Sequence, residues 1–214
     1  MLGALGPLAL RRLPEPLDDE TGEPDPDKIT YATLAGTPRL SWWLALGAAM
    51  YGAIAAVFLD EKAFVPAWVV LGAFGVLLAF IDAKTHLLPR YLVWPLYVLM
   101  WLGVALAALL RSDTQILLHA LYGNLIVFAA FVLLYVVAAL FFRGGFGYGD
   151  VRLSAALGVL LGPLGMVATF AGIYAGFALG AVIGLARNRG RMRGQAALAF
   201  GPFMILGALA ALYF

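Results

Sequence analysis

Cysteine is absent from all 214 residues of the chain. That excludes disulfides, a thiolate nucleophile and cysteine-ligated zinc together. Imidazole is almost as scarce, with only His86 and His119, so no metal and no other cofactor is expected. Charged residues make up 12% of the chain, where a soluble domain carries roughly a quarter. The polar surface that a water-soluble fold needs is missing.

What fills the chain instead is apolar: 64% of residues, with a mean hydropathy of +0.94. From Ser41 onward, apolar runs alternate with short polar breaks. The candidate spans are 41–59, 65–81, 91–110, 116–142, 151–161, 164–186 and 196–214. Most are near the roughly 17–25 residues needed to cross a bilayer; 151–161 is short and 116–142 is long. In lipid the backbone must pair within each segment, so each run is expected to be helical. The predicted fold is all-α, a polytopic transmembrane helical bundle of about seven spans. Taken as one helix, 151–186 would be about 54 Å long, too long for one crossing. Gly162-Pro163-Leu164-Gly165 offers the break.

Charge placement supports the break. With it, and with residues 11–40 in the cytoplasm, all but two of the fourteen Lys and Arg residues fall on the cytoplasmic side. Lys62 and Arg111 are the two outside, a strong positive-inside bias. Without the break, Arg187, Arg189, Arg191 and Arg193 would lie outside.

Residues 1–40 read as a zone apart from the membrane domain, 41–214. Leu2 to Leu10 is apolar but short, and Arg11-Arg12 follow it, the reverse of a signal peptide's order. "RRLPEPLDDETGEPDPDKIT", residues 11–30, is Pro-rich and acidic without a helical apolar period, so it is expected to be an irregular cytoplasmic arm. Gly172, Gly176, Gly180 and Gly184 recur every fourth residue and predict close helix packing. His119 and Asn124 read as helix-to-helix hydrogen-bonding residues. Trp42, Trp43, Trp68, Trp94 and Tyr91 read as interfacial anchors.

Of the twelve acidic residues, Glu15, Asp18, Asp19, Glu20, Glu23, Asp25 and Asp27 lie in the arm. Asp60, Glu61 and Asp113 lie in short outer loops. Two remain at the edges of apolar runs: Asp82 closes "VLLAFID" and Asp150 opens "VRLSAALGVLLG". Ionisable groups there are costly, which makes function the default explanation. The topology puts both on the cytoplasmic side. Two carboxylates sharing a site divide their labour: repulsion keeps one protonated while the other is ionised. One then takes a proton from water while the other polarises a carbonyl, which is peptide hydrolysis without a covalent intermediate. Gly144, Gly145, Gly147 and Gly149 leave the approach to Asp150 without side-chain bulk, room for an extended peptide.

The segment "GYGDVRL" after a long apolar run resembles the Gly-x-Gly-Asp signature of the type IV prepilin peptidases, which are membrane aspartyl proteases. "DAKTHLLPR", Asp82 to Arg90, is similar to the segment around the family's first aspartate, with Leu88-Pro89 in place. "FGPFMILGALAAL", from Phe200, is similar to the start of the family's last helix. The resemblance covers roughly 65–214. It implies catalysis by Asp82 and Asp150, with Gly147, Gly149, Arg152, Lys84 and Pro89 in substrate-binding or supporting roles. It implies an endopeptidase in the bacterial cytoplasmic (inner) membrane that removes a basic leader after a glycine from prepilins or pseudopilins. The expected partners are that substrate and the bilayer, not a nucleic acid. Arg152 stands where the family often has Lys. Longer members also N-methylate the new terminus and carry paired Cys-x-x-Cys motifs; those pairs are missing here. A basic leader also gives the acidic arm an electrostatic partner.

A transporter using Asp82 and Asp150 as proton-coupling carboxylates is the competing reading. Transporters place such groups near the midplane at the interface of repeats. Here both sit at span ends, and no repeat is visible.

Overall fold

The structure, a computed structural model, describes residues 2–15, 29–141, 146–187 and 199–214. A 3-10 turn, Leu2–Leu5, leads into α1 (Gly6–Arg12), and α2 (Tyr31–Ala35) follows. Then come α3 (Leu40–Phe58), α4 (Val65–Thr85), α5 (Arg90–Arg111), α6 (Gln115–Phe141), α7 (Tyr148–Leu161), α8 (Met166–Arg187) and α9 (Gly201–Ala210). No strand occurs among the described residues. Helices α3, α4, α5, α6 and α8 are long and apolar enough to cross a membrane, while α7 and the segment Gly201–Tyr213 are apolar but shorter. The protein is a multi-pass membrane bundle, and each of the seven expected runs has its helix.

The boundaries follow local chemistry. Pro66 opens α4 without needing a backbone donor, and His86 closes it in the left-handed region at φ 55°. That end lies beyond the expected 81, because Ala83, Lys84 and Thr85 continue the helix. Asp82 thus lies in the last turn of a helix, as a residue closing an apolar run should, and Lys84 is helical and not part of the loop. Pro89, extended, precedes α5. Pro95 lies within α5, a break in the hydrogen-bond ladder that membrane helices tolerate. The break expected at residue 162 is present: Gly162–Leu164 forms a 3-10 turn, and Gly165 takes φ 97° before α8 starts. Thr169, fully buried, seals it by donating from Oγ1 to the carbonyls of Leu161 at 3.0 Å and Gly165 at 2.8 Å.

Two crossings are built from glycine. A Cβ on Gly158 of α7 would stand 2.6 Å from the Gly123 carbonyl oxygen of α6, and one on Gly123 would stand 2.5 Å from Gly162 Cα. Backbone meets backbone there. Similarly, Gly172 and Gly176 of α8 face Gly207 and Phe203 of α9, as their spacing predicts. Asn124 bridges α6 to α7, donating from Nδ2 to the Ala155 carbonyl at 2.8 Å, whereas His119 is exposed. Tyr51 of α3 donates its hydroxyl to the Ile205 carbonyl of α9 at 3.2 Å and stacks on Trp68. Trp68 is fully buried, while Trp42, Trp43, Trp94 and Tyr91 are exposed; Trp68 is a core residue and not an interfacial anchor.

The charge census has a structural counterpart. Arg111, at the end of α5, pairs with Glu61 at 3.0 Å, so the α3–α4 and α5–α6 connections share one end of the bundle. Lys62, at that end, donates to the carbonyls of Ala56 and Leu59 at the end of α3, where a cation complements the helix dipole.

The N-terminal zone departs from the expected irregular arm. Leu10, Tyr31 and Leu34 are buried in the same core cluster as α3 and α4. Glu15, expected in solvent, instead caps α2: its carboxylate accepts the N–H groups of Tyr31 at 2.6 Å and Ala32 at 2.9 Å. The rest of the acidic stretch, 16–28, lies outside the described residues.

Candidate active site

Asp82 sits one turn before the end of α4, and Asp150 sits in the first turn of α7. Both side chains are buried, at 4% and 8% exposure, and they are near enough that the charge of Asp82 acts on Asp150. A pair of carboxylates at that depth needs partners. Asp82 Oδ2 accepts the backbone N–H of Gly201, the first residue of α9, at 2.7 Å. Asp150 Oδ1 has no hydrogen-bond partner among the described residues. His86, one helical turn after Asp82 at the cap of α4, also acts electrostatically on Asp82.

Glycine shapes the space around both acids. Gly147 is the cap of α7, and a Cβ there would stand 3.0 Å from Asp150 Oδ2. A Cβ on Gly201 would stand 2.9 Å from Asp82 Oδ2. Gly149, read as clearance for a peptide, is helical and packs on Leu88, whose Cβ would be 2.8 Å from an added Cβ. Leu88 is buried and links the α4–α5 connection directly to the start of α7. Gly144 and Gly145 lie outside the described residues.

The supporting residues divide by position. Pro89 stands beside Leu88 at the start of α5, and Lys84 is exposed in the last turn of α4. Arg152 stacks its guanidinium 4.5 Å above the Tyr148 ring. It lines a cavity of about 320 Å3 between α5, α6 and α7 together with Trp94, Tyr97, Asn124 and Phe128; Asp150 does not line that cavity. Gly201 is the member that reading the residues one by one missed. Its signal was present in the Phe-Gly-Pro start of the last run, but no side chain advertised its role. Among the described residues, no three His, Asp or Glu side chains form a group that could hold a metal ion.

A family model described as the type IV leader peptidase family matches residues 69–186, an interval that contains both acids. This chain belongs to the type IV leader peptidase family. Its relatives include the prepilin leader peptidase/N-methyltransferases of two Burkholderia pseudomallei strains, 1026b and K96243. Each is 38% identical over 183 residues, which is 80% of this chain and 53% of the relative. The leader peptidase HopD of Escherichia coli is 34% identical over 148 residues, 66% of this chain and 88% of HopD. The chain spans about half the length of the Burkholderia relatives it matches. No solved structure matches it. For this leader peptidase family member, the two acids and their glycines are the one described place where buried charge gathers at a helix end.

Proposed function

We propose that this protein is a membrane aspartyl endopeptidase that removes the basic leader from type IV prepilins or pseudopilins, cutting after a glycine. The observation that carries the proposal is that Asp82 and Asp150 are both buried and within electrostatic reach of each other in a multi-pass leader peptidase family member. One carboxylate, ionised, takes a proton from water as the water attacks the scissile carbonyl. The other, protonated, donates to the carbonyl oxygen, and the tetrahedral intermediate collapses as the amine leaves with a proton. The acid that took the water's proton gives it to the departing amine, and the other takes its proton back from the gem-diol hydroxyl, so each ends the cycle in the state in which it began and the pair works as a unit. Gly147, exposed at the mouth of α7, leaves room for a peptide backbone to approach Asp150, while Gly149 lets Leu88 pack against the start of the helix.

The proposed orientation places this end of the bundle in the cytoplasm of a bacterial inner membrane. The support is the positive-inside bias, together with the ion pair that joins the two opposite connections. A basic leader remaining on the cytoplasmic side would meet the acids without crossing the bilayer. Lys84 and Pro89 flank that approach. The proton-coupled transporter reading has no such support: both carboxylates lie at helix ends, and the family is one of peptidases.

The test is processing of a co-expressed prepilin, scored by the mobility shift that follows leader loss. Asp82→Asn and Asp150→Asn are each expected to abolish processing, a loss of at least about 10^3-fold, while the protein still accumulates in the membrane. Full processing by either variant would overturn the proposal.

A further inference from the structure

Phe200, Gly201 and Pro202 begin the last described helix, and each has a distinct part. Pro202 opens the helix and has no N–H of its own to satisfy. Gly201 sends its N–H to Asp82 Oδ2 at 2.7 Å. An added Cβ on Gly201 would lie 2.9 Å from that oxygen and 3.3 Å from Asp82 Cγ. Any residue but proline could supply the N–H. Only glycine supplies it without pushing the carboxylate away.

Phe200 fixes where that N–H stands. Its ring lies 4.8 Å from Phe177, 5.9 Å from Phe146 and 6.3 Å from Phe131, centroid to centroid. Phe177 is on α8 and Phe131 on α6, so the start of α9 is held from two sides. Phe146 immediately precedes Gly147, the cap of α7. Two adjacent residues therefore reach the two halves of the acid pair: Phe200 packs on the approach to Asp150, and Gly201 holds Asp82. The contact of Leu88 with Gly149 closes the third side between α4 and α7.

We infer that Phe200 and Gly201 are positioning residues that keep Asp82 facing Asp150: Gly201 by a backbone hydrogen bond and the absence of a side chain, Phe200 by locking the starts of α9 and α7 together. This rests on the peptidase reading of the pair. A carboxylate moved by about 1 Å loses on the order of 100-fold in rate while substrate binding is spared.

The experiment uses the full chain purified into lipid nanodiscs, with a fluorogenic peptide spanning a prepilin cleavage site. Four variants are compared with the parent: Gly201→Ala, Phe200→Ala, Phe200→Leu and Gly75→Ala. Gly75→Ala is the packing control. It crowds the same α4–α9 contact, but its Cβ would meet the far end of Ile205, Cδ1 at 2.9 Å, and not a carboxylate. Gly201→Ala is expected to lower kcat by about 100-fold with KM changed less than about two-fold. Phe200→Ala lowers kcat by about 10-fold, and Phe200→Leu restores most of it by refilling the cluster. Gly75→Ala stays within about two-fold of the parent. A second readout does not depend on turnover: the infrared carboxyl band that Asp82→Asn removes is expected to shift in Gly201→Ala and stay in place in Gly75→Ala. A Gly201→Ala protein with an unmoved band and unchanged kcat overturns the inference, as does a Gly75→Ala protein equally impaired. A parent that cleaves nothing overturns the peptidase reading alone, since the band still decides whether Gly201 holds Asp82. If Gly201→Ala does not fold, the contrast between Phe200→Ala and Phe200→Leu decides: equal kcat in the two overturns the inference.

Discussion

At the crossing of α6 and α7, glycines face backbone; at the carboxylate end, they face charge. Gly123 and Gly158 each stand where an added Cβ would strike the main chain of the other helix, and main chain in a packed bundle cannot step aside. Gly147 and Gly201 stand where an added Cβ would strike Asp150 and Asp82, and a carboxylate can turn. The same residue type therefore has two consequences. In the first region it decides whether the helices meet; in the second it decides where two acids point once they have met. A stability measurement sees the first region and is nearly blind to the second.

Substitutions at the two regions separate these roles. The largest effect is expected for Gly158→Leu, which should prevent the α6–α7 contact from forming and leave no folded protein by gel filtration in detergent. Accumulation of a monodisperse Gly158→Leu protein would erase the distinction between the regions. Gly147→Ala comes next: kcat for leader removal should fall by about 10-fold, with the thermal unfolding midpoint within about 2 °C of the parent. A matching loss of stability would move Gly147 into the first class. The smallest effect is expected for Gly165→Ala, which belongs to neither class. Its φ is 97° and nothing lies within 4 Å of its missing Cβ, so only backbone strain of about 1–3 kcal/mol should appear, with processing unchanged. Loss of activity there would show that the α7–α8 turn has a part in the chemistry.

Much of this architecture is legible from residue patterns because membrane helices announce themselves by length and hydropathy. The seven apolar runs, the break at Gly162-Pro163-Leu164-Gly165 and the two lone acids needed nothing else. The end of α4 was harder. Ala83, Lys84 and Thr85 look like the polar edge of a loop, yet helical hydrogen bonding runs on until His86 turns left-handed. The part played by residues 2–15 was hidden too, because a short apolar stub with no span-length run gives no sign that Leu10 is fully buried. Glu15 has the composition of a solvated acid, and only the fold brings the open N–H groups of Tyr31 and Ala32 to it. Least legible of all was Gly201. A backbone donor carries no side-chain signature, and its acceptor lies on a helix remote in the sequence.

That remoteness sets an order of events during synthesis. Asp82 and the N–H that holds it are separated by 119 positions. At roughly 5–20 residues per second, Gly201 leaves the ribosome on the order of ten seconds after Asp82. In that interval α4 through α8 can enter the bilayer and Asp150 can arrive, but the acid on α4 has no partner from α9. A nascent chain arrested before residue 201 would contain both aspartates and still lack the N–H that Asp82 accepts, so the hydrogen bond between α4 and α9 can form only after α4 through α8 have been made.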